Sequence, residues 1–284
     1  MAERVGGAVV NADSAQIYRD LPILSAAPSQ EDKSRAPHLL YGVLDGSKPC
    51  SAADWAELAK AEIANLHAEG RLPILVGGTG LYLRTLLDGI APIPQIDPEI
   101  RSAIRAASVG ENLAALAPLD PVAAATLNPG DTTRIARALE VVKSTGRTIA
   151  EWQQQRAGGI GDSIELRALV LLPPRHWLYE RCDQRFAMMI EQGAIGEVEA
   201  LLSRNLDPQL PVMRAIGVPE LRAYLQREVS LDDAVAAGQQ ATRNYAKRQY
   251  TWFAHQPPPS WPRFHDAIEH EAIDRALAMF APAG

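Results

Sequence analysis

The chain of 284 residues is 47% hydrophobic and 22% charged, an ordinary globular composition that excludes neither an enzyme nor a binding module. A formal net charge of −6 argues against wholesale coating of nucleic acid while leaving room for a local basic patch. No stretch is long and apolar enough to span a bilayer and MAERVGGA carries no charged-then-apolar leader, so a cytoplasmic protein without membrane contact is expected.

The first element is the apolar run before Asn11, Ala12, Asp13 and Ser14. It reads as a short buried strand that ends in a carboxylate and a hydroxyl, where α/β enzymes place chemistry. Ser51 to Gly70 reads as a helix with a capping-box-like start at Ser51 and Asp54 and a glycine stop. Leu72 to Val76 is a continuous apolar run suited to a strand buried on both faces. The cluster Gly77-Gly78-Thr79-Gly80 follows, and LYLRTLL begins another helix. Strand, glycine turn and helix in that order suit an anion site. A tight turn needing positive φ would place the same glycines there, and the two readings stay open.

From Asp97 to about Ile164 the pattern changes to short helical segments separated by prolines. The clearest is Asp131 to Arg147, capped by Asp131, striped with Ile135, Leu139 and Val142, and ended by Gly146. Arg134 and Arg137 share one face of it. AGGIGDS, 157 to 163, reads as a flexible return linker. Glu165 to Pro173 is apolar again and is expected to re-enter the first sheet. The last long helix, Leu231 to Gln256, mixes Arg243, Lys247 and Arg248, with no acid near them in sequence, among aromatic residues. That mixture suits either nucleic-acid backbone and bases or a core helix with solvated cations. Cys50 and Cys182 fit no metal or redox spacing and read as reduced thiols.

Six blocks, NADSAQIYRDLPI, PHLLYGVLD, LPILVGGTGLYL, DTTRIARALEV, MRAIGVPEL and ATRNYAKRQYTWF, in this order and spacing resemble the tRNA dimethylallyltransferases, also called tRNA isopentenyltransferases, of the IPP transferase family. The resemblance implies an α/β fold, a P-loop NTPase-like parallel sheet flanked by helices, with an all-helical insertion domain. It divides the chain into a first core part at 1–96, an insertion at 97–164 that binds the tRNA anticodon stem-loop, and a second core part at 165–284. It implies transfer of a dimethylallyl group from dimethylallyl diphosphate to N6 of the adenine 3′ of the anticodon, by a monomer in which Mg²⁺ assists the diphosphate.

The resemblance assigns Asp13, Thr79 and Arg214 to catalysis, with Arg214 on the diphosphate. An adenine amine is a poor nucleophile, so a carboxylate taking its proton lowers the barrier, and Asp13 is the candidate. Expected tRNA contacts are Asp13, Ser14, Ala15 and Gln16, Thr79, Arg101, and Thr133, Arg134, Ile135, Ala136 and Arg137. They continue through Thr242, Arg243, Asn244, Tyr245, Ala246, Lys247, Arg248 and Gln249. Family members begin with a strand and a G-x-x-x-x-G-K-[ST] loop, whereas these residues contain no Gly-Lys pair. MAERVGG reads as the tail of the helix after such a loop, so about 20–30 further residues are expected ahead of Met1. Without them, one side of the Val9–Val10 strand is expected to stand unpaired. Competing readings are an adenylate isopentenyltransferase, a non-catalytic tRNA-binding protein and, less well supported by the blocks, a P-loop nucleotide kinase.

Overall fold

The computed structural model describes residues 1–280. A short helix α1 (Ala2–Val5) leads into β1 (Ala8–Asn11), followed by α2 (Gln30–Arg35), β2 (His38–Leu39), α3 (Ala52–Ala68), β3 (Pro73–Val76) and α4 (Gly80–Asp88). The helical run contains α5 (Pro98–Ala106), α6 (Val109–Leu116), α7 (Pro121–Thr126), α8 (Thr132–Thr145) and α9 (Ile149–Gln153). Then come β4 (Val170–Leu171), α10 (Arg175–Glu191), α11 (Ala194–Ser203), α12 (Val218–Leu225), α13 (Leu231–His255), β5 (Arg263–Phe264) and α14 (His270–Ala278). Two compact units result. One comprises Met1–Leu86 with the chain from Ser163 onward; the other is Leu87–Asp162.

In the α/β unit, β1 is the central strand of a parallel sheet ordered β2-β1-β3. Val9 lies opposite His38 on one side and Ile74 on the other. The expectation of an unpaired Val9–Val10 strand is therefore corrected: both of its sides are taken, and Val10 is fully buried. The segment at 165–173 also differs from expectation. Only Val170 and Leu171 form a strand, and it pairs with β5 as a separate parallel ribbon instead of rejoining the first sheet. A short apolar run accepts any partner edge, and here the nearest edge comes from a segment more than ninety residues away in the chain. Among the described residues no helix is long and apolar enough to cross a membrane.

The helical unit is built around α8. Its stripe of Ile135, Leu139 and Val142 meets Ile104 of α5 and Leu116 of α6 in a core of its own. Asp131 accepts the Arg134 N–H at the start of α8, and Gly146 stops it with φ of 70°, the left-handed cap that glycine adopts at little cost. Residues 157–163 are pinned, not a free linker: Ile90 and Ala157 exchange backbone bonds of 3.1 and 3.2 Å. That bridge draws the segment from Leu87 into the unit, ahead of the Asp97 boundary that the proline pattern suggests.

Candidate active site

The site begins with a buried amide at the end of β1. Asn11 is 0% exposed; its Nδ2 donates to the carbonyls of Asp13 and Leu40, each at 3.0 Å, and its Oδ1 accepts the Asp13 N–H at 2.8 Å. The indole of Trp55 on α3 donates to the Asn11 carbonyl at 2.9 Å. These bonds fix the backbone that carries Asp13. The Asp13 Oδ1 then accepts from Ala15 N at 2.8 Å and Gln16 N at 3.4 Å, an Asx turn. Oδ2 takes part in neither bond.

The glycine turn after β3 packs against this loop. Thr79 N donates to the Ala12 carbonyl at 3.2 Å, and Thr79 Oγ1 accepts Ser14 N at 3.0 Å. Gly77, Gly78 and Gly80 are absent from the positive-φ residues, so backbone handedness does not explain them. Close approach does: a Cβ on Gly77 would strike the Ala12 backbone, one on Gly78 the Gln249 amide, and one on Gly80 the Trp252 ring. Gln249 Nε2 donates to the Gly78 carbonyl at 2.9 Å. The turn is thus a seat for α13.

These parts open on one cavity of about 370 Å³ within the α/β unit. Asp13, Ser14, Tyr82 and Tyr245 line it, and Arg185, Arg214 and Arg248 are also on the wall. Leu21, Leu24, Phe186, Met189 and Val212 supply an apolar part. Tyr82 stacks on Trp55 with centroids 4.6 Å apart and planes 15° apart. Burial, reinforced by the Asp13 charge, pushes the Tyr41 phenol up to about 12 and raises Tyr82 and Tyr245 as well. These phenols are therefore neutral at physiological pH. Cys50 and Cys182 are both free and both reach the wall. Burial raises both thiols, which disfavours reactive thiolates.

Of the residues expected from sequence, Asp13, Ser14, Ala15, Arg214, Thr242, Tyr245 and Arg248 meet at this cavity. Thr79 and Gln249 stand behind them in the hydrogen-bond set. Gln16 turns elsewhere: its amide donates to the Ser25 and Ala26 carbonyls at 3.0 and 2.8 Å, holding the loop. Arg243 is not free of acids, because α10 packs on α13 and brings Asp183 to 2.5 Å. Ala246 is buried, while Asn244 and Lys247 are exposed. In the helical unit Thr133 and Arg134 are exposed, Ala136 is half-buried, and Arg101 and Arg137 approach Glu140. Ile135 is 0% exposed in the core of that unit, so its side chain has no surface to offer RNA. Asn11, Tyr82 and Arg185 have no role assigned from the sequence. Asn11 adjoins the Asp13 block and could have been suspected as its brace, whereas nothing local marks Arg185 among the arginines of α10.

Residues 16–256 match the family model described as IPP transferase. The tRNA dimethylallyltransferase of Sphingopyxis alaskensis is 61% identical over 275 residues, covering 96% of this chain and 90% of its own. That of Novosphingobium aromaticivorans is 60% identical over 273 residues, covering 95% and 97%. Among solved structures, the tRNA isopentenylpyrophosphate transferase of Bacillus halodurans superposes with a TM-score of 0.68 at 31% identity, over 98% of this chain and 88% of its own. A eukaryotic dimethylallyltransferase acting on tRNA gives 0.73 at 26% identity, over 88% and 64%. The parallel sheet under flanking helices is accordingly the P-loop-like α/β fold of these enzymes, and with a family match that spans the glycine turn and α13 together, the chain belongs to the IPP transferase family.

Proposed function

We propose that this chain is a tRNA dimethylallyltransferase, moving a dimethylallyl group from dimethylallyl diphosphate to N6 of the adenine 3′ of the anticodon. The observation that carries the reading is one cavity lined together by Asp13, by Arg185, Arg214 and Arg248, and by apolar side chains. Each suits one part of the reaction. The apolar wall of Leu21, Leu24, Phe186, Met189 and Val212 takes the branched allyl group. Arg214 and Arg185 face the charge that grows on the departing diphosphate, where preorganised cations favour the transition state over the ground state.

As the bond from N6 to the allylic carbon forms, the bond from that carbon to the diphosphate oxygen breaks. The amine then carries a surplus proton, and Asp13 accepts it on Oδ2, the oxygen left out of the Asx turn. The carboxylate also selects an exocyclic amine over a carbonyl, which has no proton to donate. Tyr245 supplies aromatic surface for a base drawn out of its loop stack. Magnesium suits this cavity as an ion carried largely by diphosphate oxygens, its usual mode, since among the described residues no three His, Cys, Asp or Glu side chains converge on a point. When bound it would neutralise part of the leaving charge; positioning and proton transfer belong to the residues named above.

The experiment is nucleoside mass spectrometry after incubating the chain with dimethylallyl diphosphate and Mg²⁺, with either an anticodon stem-loop RNA or AMP as acceptor. Prenylation confined to the stem-loop adenine is expected. Prenylated AMP with an untouched stem-loop would move the protein to free-nucleotide chemistry.

A further inference from the structure

The helical unit holds a charged group that local packing does not require. Glu140 of α8 is 1% exposed, and three guanidinium groups surround its carboxylate. Arg105 Nε lies 3.0 Å from Oε1, Arg137 Nη1 3.7 Å and Arg101 Nε 3.9 Å from Oε2. Oε2 has no hydrogen-bond partner among the described residues. The arginines themselves remain open to solvent, their side chains 67, 42 and 47% exposed respectively. Burying a carboxylate is costly, and a hydrophobic side chain packed in its place often serves stability equally well or better. Stability alone is therefore a poor reason for Glu140.

Geometry offers a better one. Arg101 and Arg105 are one turn apart on α5, and Arg137 and Glu140 one turn apart on α8, so a single buried carboxylate gathers cations from two helices. One negative charge against three positive ones leaves the cluster strongly cationic. Each guanidinium carries five N–H donors in a rigid plane, and at these distances Glu140 engages one nitrogen of each. With the three side chains 42–67% exposed, donors remain open to solvent beside one another, which is what a phosphodiester needs. Arg134 stands outside the cluster, paired with Asp131 at 3.4 Å.

We propose that Glu140 is a positioning residue, and that it sets Arg101, Arg105 and Arg137 as one platform for the phosphate backbone of the RNA acceptor. The proposal rests on the tRNA reading above and adds Arg105 and Glu140 to it. Its test is Glu140→Gln, because charge and positioning predict opposite results. Removing the negative charge makes the platform more cationic, so simple attraction predicts tighter stem-loop binding and a steeper salt dependence. Loss of the pivot instead predicts binding weaker by roughly tenfold, with the log–log salt slope flatter by about 0.7–0.9 for each phosphate no longer neutralised.

Binding of stem-loop RNA by the full chain is measured over a salt series, with circular dichroism as the check on folding. Weaker binding with a flatter slope supports the proposal; equal or tighter binding with an unchanged or steeper slope overturns it. Should Glu140→Gln fail to fold, Arg105→Lys decides, since it keeps the charge at an exposed position and removes only the planar fork. A weaker, flatter salt dependence of that variant supports the platform, and wild-type behaviour overturns it. The wild-type chain separates the two readings. If it binds stem-loop RNA while both variants match it, only the platform falls; if it binds none and prenylates AMP, the tRNA reading falls and takes the platform with it.

Discussion

Asp13, on the cavity wall, uses one carboxylate oxygen for its own turn, taking the Ala15 N–H at 2.8 Å, and leaves the other out of it. An asparagine carbonyl can accept the same N–H, so Asp13→Asn should keep the loop and remove only the base. Single-turnover prenyl transfer is expected to fall by about 10²–10⁴, the span of one acid–base group, with stem-loop affinity close to wild type. Transfer at an undiminished rate would remove Asp13 from the chemistry. Gly78 is a second sensitive point, because a Cβ there would meet the Gln249 amide that holds α13 to the turn. Gly78→Ala should therefore impair transfer even though its backbone φ suits alanine, and a fully active variant would show that Gln249 can move aside freely.

Helix starts and stops in this protein follow local chemistry. Ser29, Ser51, Ser108 and Thr148 each form a reciprocal capping box with an acid three residues on, satisfying N–H groups that a helix leaves open. Glycines then divide by conformation. Gly146, at φ of 70° with open space around it, would put alanine in the left-handed region, so Gly146→Ala should lower stability by about 1 kcal/mol through backbone strain alone. Gly196 lies inside α11, has nothing near its missing Cβ, and shows no positive φ. Gly196→Ala should raise stability by about 0.5–1 kcal/mol. Chemical denaturation of the two variants checks both signs. Arg204, at the end of α11, binds Asp20 and lies 2.7 Å from Asp45. That bond, with help from Ser47, holds the Asp45 carboxyl well below its usual range. A depressed acid stabilises the fold at pH above its unfolded value and loses that contribution as pH falls through the folded one. Arg204→Ala should thus narrow the gap in melting temperature between neutral and acidic buffer, and an unaltered gap would count against the bridge.

Each of the two units owns a core, and damage to one core should stay within it. Leu139 is 1% exposed at the centre of the helical unit, where Leu139→Ala should cost about 2–5 kcal/mol. Amide hydrogen exchange is the suitable measurement, because a single melting curve averages over both units. Exchange should accelerate through α5, α6 and α8 while the amides of β1 and β3 keep their protection. Equal acceleration in the parallel sheet would mean that the chain unfolds as one cooperative body.

The amino-acid sequence by itself determined what short-range chemistry controls. Ser51 with Asp54 started α3, Asp131 and Gly146 bounded α8, and the apolar stripe of Ile135, Leu139 and Val142 announced a buried face. The six spaced blocks identified the family, and Asp13 at the end of an apolar run marked the cavity. Tertiary structure alone decided the rest, since strand pairing and ion pairing join residues whose separation leaves no local trace. β1 became central because β2 and β3 took its two edges, and β4 paired with β5 because that edge was near in space. Arg243 met Asp183, 60 residues away in sequence, across two packed helices. Three arginines on two helices converged on Glu140 for the same reason: only packing α5 against α8 brings their charges within reach of one buried carboxylate.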